Sequence, residues 1–315
     1  MNSCKFLFGP VPSRRLGASL GVDLVPHKVC TFDCIYCQCG RTSNLTAERR
    51  EYVPYDRVIS ELMHFLGSNP APDYITFSGS GEPTLNVRIG DIIRFVKNEK
   101  PDIPVAVLTN GSLLFDKKVR TELCDADVVL PSLDAASESC FQMINWPFYR
   151  LNIRSHIHGL ARFATIFRGK IWLEIFIIPS YNDGEKELML FKRAIEMIEP
   201  DLIQLNTLDR PGNLLTIRPA SKEELKEISD LWGFDNVEII ADLPLVEKNV
   251  AFRRDIQEAI LDTISRRPST PRDLAQIAGV HISEIFKYLS KLEKTDEVEA
   301  VREDRGYFYR RKAEK

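Results

Sequence analysis

The chain has 315 residues, of which 44% are apolar and 28% charged, with a formal net charge of −3. That length fits two domains, or one large α/β unit with an appendage, and the composition supports a packed core and excludes general disorder. The near-neutral balance argues against a whole-protein polyanion binder.

The N-terminal MNSCKFLFGPVPSRR lacks a long apolar stretch, so no signal peptide is expected, and no apolar run reaches membrane-spanning length. The expectation is a cytoplasmic protein with no membrane contact. In that compartment clustered thiols hold metal more often than they form disulfides.

Six strands are expected in chain order: SLGVDLV (19–25), YITFSG (74–79), VAVLTN (105–110), VVLPSLD (128–134), IWLEIFIIP (171–179) and LIQLNTL (202–208), with VEII (237–240) as a short seventh. Most are nearly continuous apolar runs, the pattern of parallel strands buried on both faces. Helical patterns lie between them at 55–67, 87–99, 151–164 and 185–199. Repeated β-then-α with right-handed crossovers gives a parallel sheet. Six units are too few for a closed eight-strand barrel, and no G-x-G-x-x-G follows the first strand to mark a dinucleotide fold. The fold expected is therefore α/β, a partial (βα)6 TIM-like barrel. Its strands end in SGSGEP, TNGS, PSLDA, PSYND and NTLDR, small and polar residues where barrel enzymes keep their active sites.

DLPLVEKNV (242–250) reads as a linker. Beyond it the pattern becomes helical at 253–265, 269–279 and 281–294, followed by a hairpin at 298–311 around Asp-Arg-Gly. Ser269 or Thr270 is the expected N-cap of the second helix, with Pro271 in its first turn and Gly279 as its stop. Helix, helix, turn, helix, hairpin is the order of a winged helix-turn-helix. Two domains are expected, a barrel over 1–245 and a winged helix over 250–315.

Three of the seven cysteines fall in CTFDCIYC: Cys30, Cys34 and Cys37, directly after the first strand. A disulfide, a zinc site and an iron–sulfur cluster are the candidates. A closed zinc site needs four ligands. Cys39 would have to be the fourth, only two positions after Cys37, and zinc modules usually split their ligands into two separated pairs. Three thiolates on a four-iron cluster leave one iron open for a substrate or cofactor, whereas ferredoxin-type clusters use four cysteines.

CTFDCIYC resembles the C-x3-C-x-aromatic-C signature of the radical S-adenosylmethionine (SAM) enzymes, and SGEP (80–83) resembles their Gly-Gly-Glu-Pro motif. The resemblance covers about residues 6–245. It implies a [4Fe–4S] cluster held by Cys30, Cys34 and Cys37, an open iron that chelates SAM, and a 5′-deoxyadenosyl radical formed on reduction. It also implies an electron donor such as flavodoxin or ferredoxin. By the same resemblance Tyr36 lies against the adenine. Ser80, Gly81 and Glu82 face the methionine amino group, and Asn110, Ser132 and Asp134 line the ribose and carboxylate side.

The head of the chain, FGPVPSRRLGASLGVDLVPHKVCTFDCIYCQCGRT, resembles the radical SAM group related to wyosine synthases of transfer RNA, which makes RNA the first candidate substrate. The sequence departs from that group in having only Cys4 upstream, where wyosine synthases carry further cysteines for a second cluster, and in its added winged helix.

Other polar residues are read more quietly. Cys124 and Cys140 are expected as small core hydrophobes, Cys39 as an unligated thiol beside the cluster, and Cys4 as a thiol just behind the ligands or exposed. His156 and His158 lie on different helix faces and form no ligand pair. Arg14 and Arg15 either meet a substrate phosphate or are solvated loop charges.

From Ala251 to Lys315 there are 14 Lys and Arg against 12 Asp and Glu, so contact of the winged helix with RNA or DNA is compatible with the charge but not required by it. Three functions follow in order of preference. The first is a radical SAM enzyme acting on RNA, the second the same chemistry on a small molecule or protein. The third is a redox-sensing winged-helix regulator, which would need a fourth ligand and a strongly basic recognition helix.

Overall fold

The computed structural model describes residues 5–214, 216–240, 256–280, 282–303 and 306–312. Leu7–Ser13 (β1) runs antiparallel to Gly17–Val22 (β2), and Val29–Cys30 (β3) pairs with Asn44–Leu45 (β4) to close the loop between them. Strands and helices then alternate: α1 (Tyr55–Ser68), β5 (Tyr74–Phe77), α2 (Ile89–Glu99), β6 (Val105–Thr109), α3 (Lys117–Glu122), β7 (Val128–Pro131), α4 (Glu138–Asn145), α5 (Ile153–Ala164), β8 (Lys170–Phe176), α6 (Glu185–Ile198), β9 (Leu202–Asn206), α7 (Lys222–Trp232) and β10 (Val237–Ile239). After the undescribed 241–255 come α8 (Ile256–Arg266), α9 (Pro271–Ala278), α10 (Ile282–Lys294) and the antiparallel pair β11 (Val298–Glu303) and β12 (Gly306–Arg311).

The main sheet has eight strands in the order β1-β2-β5-β6-β7-β8-β9-β10, parallel from β2 to β10. This is an α/β fold consistent with a partial TIM-like barrel. All six expected strands are present, and VEII supplies the seventh parallel one.

Alternation along the strands builds two faces. Val105, Val107 and Val129 join the layer packed under the helices. Ala106, Val128 and Leu130 point the other way, into the lumen, with Leu16. On α2, Ile89, Ile92, Ile93 and Val96 recur at helical spacing and are at most 1% exposed. Burying each side chain of that kind contributes about 1.5–3 kcal/mol.

Residues 7–13 carry no strand pattern because Pro10 and Pro12 interrupt them. They pair nonetheless, since β1 is an edge strand whose missing N–H groups face no neighbour. The register shifts between Phe8 and Val11, where the ladder is irregular. α3, α4 and α7 were likewise not expected. For α7 the signal was in plain sight, a Ser221-x-x-Glu224 capping box with both reciprocal bonds made.

In the C-terminal elements Thr270 is the N-cap of α9, Pro271 its first residue, and Gly279 its left-handed stop. Ile260, Ile264, Leu274, Ile285, Leu289 and Leu292 form a hydrophobic cluster separate from that of the barrel. The expected linker at 242–250 and the turn residues 304–305 lie outside the described residues, as does Cys4. Cys140 is buried as expected, but Cys124 is only half-buried, its thiol donating to the Arg120 carbonyl.

Among the described residues no helix is long and apolar enough to cross a membrane.

Candidate active site

The loop from Cys30 to Cys39 lies across the carboxyl ends of the strands, and backbone contacts hold it from three sides. Glu82 N donates to the Val29 carbonyl at 3.1 Å, Ile35 N to Ile144 O at 2.9 Å, and Leu214 N to Ile35 O at 2.9 Å. Glycine is required where the backbones meet. A Cβ on Gly81 would sit 2.1 Å from Val29 O, and one on Gly212 2.8 Å from Tyr36 O.

Each of the three clustered sulfurs faces its own N–H donor, each from a different part of the chain. Asn110 Nδ2 lies 3.6 Å from Cys30 Sγ, Asn145 Nδ2 3.4 Å from Cys34 Sγ, and Lys28 Nζ 3.0 Å from Cys37 Sγ. Lys28 is 2% exposed and has no carboxylate partner among the described residues. Burial, and then Glu82, push the Cys30 thiol up to about 12, and burial pushes Cys34 up as well. Cys37 is held low by a hydrogen bond from Cys39 and by the Lys28 ammonium. A donor for every sulfur, one of them a buried cation, is an arrangement that anionic thiolates use and neutral buried thiols do not need. The donor set therefore fits a thiolate-ligated group. Among the described residues no three His, Cys, Asp or Glu converge as ligands of a single metal ion.

Behind the loop lies a buried polar network. Glu82, 1% exposed, accepts from Thr84 N at 3.0 Å, Thr109 Oγ1 at 2.6 Å and Asn110 N at 2.7 Å. Asp134 accepts from the Tyr36 hydroxyl, Asn145 Nδ2 at 3.1 Å and Phe176 N at 3.2 Å, and burial raises it to about 6. The Tyr36 ring stacks on Phe176 with centroids 4.2 Å apart. Ser80 is tied to Asp23 through both its N–H and its hydroxyl.

Cys30, Asn110 and Glu82 are thus joined in one chain of contacts and Cys34, Asn145, Asp134 and Tyr36 in another, with Cys37 N donating to Cys34 O, and Ser80 and Gly81 press on the same loop. Ser132 stands apart. It bridges Glu174 along the strand ends and its hydroxyl makes no hydrogen bond among the described residues. His156 is buried and His158 exposed, on different faces of α5.

A cavity of about 380 Å³ opens beside this network, from the barrel lumen to Gln38 and Cys39. Arg14 and Arg15 line it and are not solvated loop charges. Arg15 pairs with Glu174 and donates to Gln204 Oε1 at 3.2 Å, and Arg14 lies 3.6 Å from Asp209. Residues of α8, among them Thr263 and Arg266, close the far side. Lys28, Asn145 and these α8 residues were not anticipated as site residues. Only the position of Lys28, two residues before the first cysteine, was a usable signal.

The family described as "Radical SAM superfamily" matches residues 24–191, more than half of the chain. The chain belongs to the radical SAM superfamily. It is 32% identical to a UPF0026 protein of Methanocaldococcus jannaschii over 83% of this chain and 82% of that one. It is 36% identical to a Brachyspira hyodysenteriae protein named GTPase Obg over 93% of this chain, but spans only 43% of that protein's length. Among solved structures, a radical SAM methyltransferase from Sphaerobacter thermophilus shares the fold at a TM-score of 0.52 and 19% identity, covering 70% of this chain and 65% of that one. As a radical SAM enzyme, this protein has S-adenosylmethionine and a [4Fe–4S] cluster as its cofactors.

Proposed function

We propose that this radical SAM enzyme holds its [4Fe–4S] cluster on Cys30, Cys34 and Cys37 and acts on RNA as a cytoplasmic, wyosine-synthase-like enzyme. The observation that carries the cluster assignment is the set of three N–H donors, one on each of these sulfurs. Three thiolates on three separate irons need no common point of convergence. Cys30, Cys34 and Cys37 would hold the cluster, which would supply the electron for reductive cleavage of SAM and hence the radical chemistry.

The protein's own residues bind, orient and shield. Lys28, Asn110 and Asn145 offset the thiolate charge. The backbone of Ser80 and Gly81 and the Glu82 carboxylate receive the methionine amino group of SAM. Tyr36, braced by Phe176 and Asp134, lies against the adenine. Asn110, Ser132 and Asp134 line the ribose and carboxylate side. The lumen walls keep water from the reacting atoms. An external carrier such as flavodoxin or ferredoxin supplies the electron.

Two domains, 1–245 and 250–315, complete the reading, the second a winged helix-turn-helix. Its separate hydrophobic cluster supports this division. RNA is supported by the likeness of the head of the chain to wyosine synthases and by Arg14 and Arg15, which that segment places on the cavity wall.

Anaerobically reconstituted protein with dithionite and SAM is expected to release 5′-deoxyadenosine, and Cys30→Ala, Cys34→Ala and Cys37→Ala to abolish it. Zinc in place of iron, or no release, would overturn the cluster assignment. A deletion strain whose RNA nucleosides match the parent's while a metabolite accumulates would move the substrate to the small-molecule class.

A further inference from the structure

A second cavity of about 1300 Å³ runs between the cysteine loop and the C-terminal elements. Its walls carry eight Lys and Arg against three Asp and Glu, in a chain whose net charge is −3. Asp23 and Glu299 are already matched within the cleft wall. Asp23 accepts from Arg266 Nη1 at 2.8 Å, and Glu299 from Arg310 Nε at 2.6 Å. Arg57, Arg267 and Arg311 make no ion pair and no side-chain hydrogen bond among the described residues. They come from both sides of the cleft: Arg57 from α1, Arg267 from the turn after α8, Arg311 from β12.

The cleft is continuous with the lumen. Gln38, Cys39, Asp262, Arg266 and Arg267 line both spaces, so the cleft ends at the inner cavity of about 380 Å³. An inner space of that size takes one nucleotide and not a duplex.

We infer that this cleft is the binding track for a flexible nucleic-acid strand, with phosphates on Arg57, Arg267 and Arg311 and one base in the lumen. The inference rests on the RNA reading above and adds where and how the strand binds. Guanidinium groups suit phosphate because their planar fork meets two oxygens at once. Several held in one trough raise the local concentration of a polyanion without base-specific contacts. The placement departs from the usual winged-helix mode, in which the third helix reads the nucleic acid. On α10, Lys287, Lys291 and Lys294 lie outside the cleft, on an exposed face that also carries Glu284 and Glu293.

The test is binding of a fluorescent single-stranded RNA oligonucleotide to the reconstituted holoenzyme across a salt series. Arg57→Glu and Arg311→Glu, on opposite walls, are each expected to weaken binding roughly tenfold and to flatten the salt dependence by about 0.7 for each phosphate no longer held. The double variant Lys287→Glu/Lys291→Glu is expected to bind within about twofold of wild type, because no phosphate is assigned to that face. Iron content of each variant checks that it is folded and loaded. Loss of binding in the α10 variant with the cleft variants unaffected would overturn the inference, as would tighter binding of duplex than of single strand. Release of 5′-deoxyadenosine by wild type without RNA is measured separately. A chain that cleaves SAM but shows no salt-dependent RNA binding refutes the cleft assignment and leaves the cluster assignment standing.

Discussion

The side-chain amide of Asn145, the last residue of α4, lies 3.4 Å from the sulfur of Cys34 and 3.1 Å from Asp134 Oδ2. One NH₂ group therefore serves the cysteine loop and the carboxylate at the end of β7 together. Asn145→Leu removes a donor from Cys34, and Lys28→Met removes a full positive charge from Cys37. Both changes disfavour the more negative, reduced cluster. The midpoint potential of the holoenzyme, from an EPR-monitored titration, is expected to fall in both. A loss equivalent to a tenfold change in the one-electron equilibrium is about 60 mV. The larger fall is expected for Lys28→Met. Unchanged potentials in both variants would mean that these groups serve folding alone.

Gly81 is pinned by Val29. Alanine there places a Cβ 2.1 Å from a backbone oxygen, which no rotamer change relieves. The cysteine loop or the SGEP turn must move, at a cost of about 1–3 kcal/mol. Gly81→Ala is expected to lower Tm and to lose most SAM cleavage even when it is loaded with iron. Gly67→Ala is the control, since its Cβ would meet nothing within 4 Å. Normal SAM binding by Gly81→Ala would refute the close-approach argument.

Much of this framework is legible before any coordinates, because parallel strands buried on both faces announce themselves as nearly continuous apolar runs such as VAVLT and VVLP. β1 is not legible, because Pro10 and Pro12 mask a pairing that only its edge position permits. The cysteines, SGEP and SLDA are local motifs and can be read directly. Lys28 and Asn145 are single polar residues whose destination depends on where two distant loops meet. The basic cleft is harder still. Arg57, Arg267 and Arg311 are scattered over some 250 residues, and a net charge averaged along the chain hides them.

Two buried titratable groups outside the cysteine loop give opposite pH dependences. Burial raises Asp134 to about 6 from its ordinary 3.8, so between those values the folded protein binds more protons than the unfolded chain. Stability from this group is present below about pH 4 and is lost as pH rises toward 6. His156, buried on α5, is lowered to about 4 by burial, against the raising effect of the Ser132 and Asn110 backbone. Its neutral ring must be charged on unfolding below its ordinary value of 6.5, so its contribution is lost as pH falls from 6.5 to 4. In thermal melts of the metal-free protein, Asp134→Asn is expected to remove a loss on raising the pH. His156→Leu is expected to remove a loss on lowering it. Parallel pH profiles of the two variants would contradict both assignments.

Arg266 ties α8 to the end of β2. Its guanidinium lies 2.8 Å from Asp23 Oδ2 and 4.3 Å from the centroid of Phe8. Asp23 is 7% exposed, and burial raises its pKa against the lowering effect of Arg266. Arg266→Met leaves that carboxylate buried without its cation, a change that costs about 3–5 kcal/mol when one member of a buried pair is removed. Asp23 also accepts from Ser80, so the strain reaches the SGEP turn. Arg266→Met is expected to lower Tm and to weaken SAM binding. Asp23→Asn/Arg266→Met, which removes the carboxylate charge as well, is expected to recover most of the lost stability. A double variant no more stable than Arg266→Met would show that the guanidinium acts through its packing on Phe8 rather than through the ion pair.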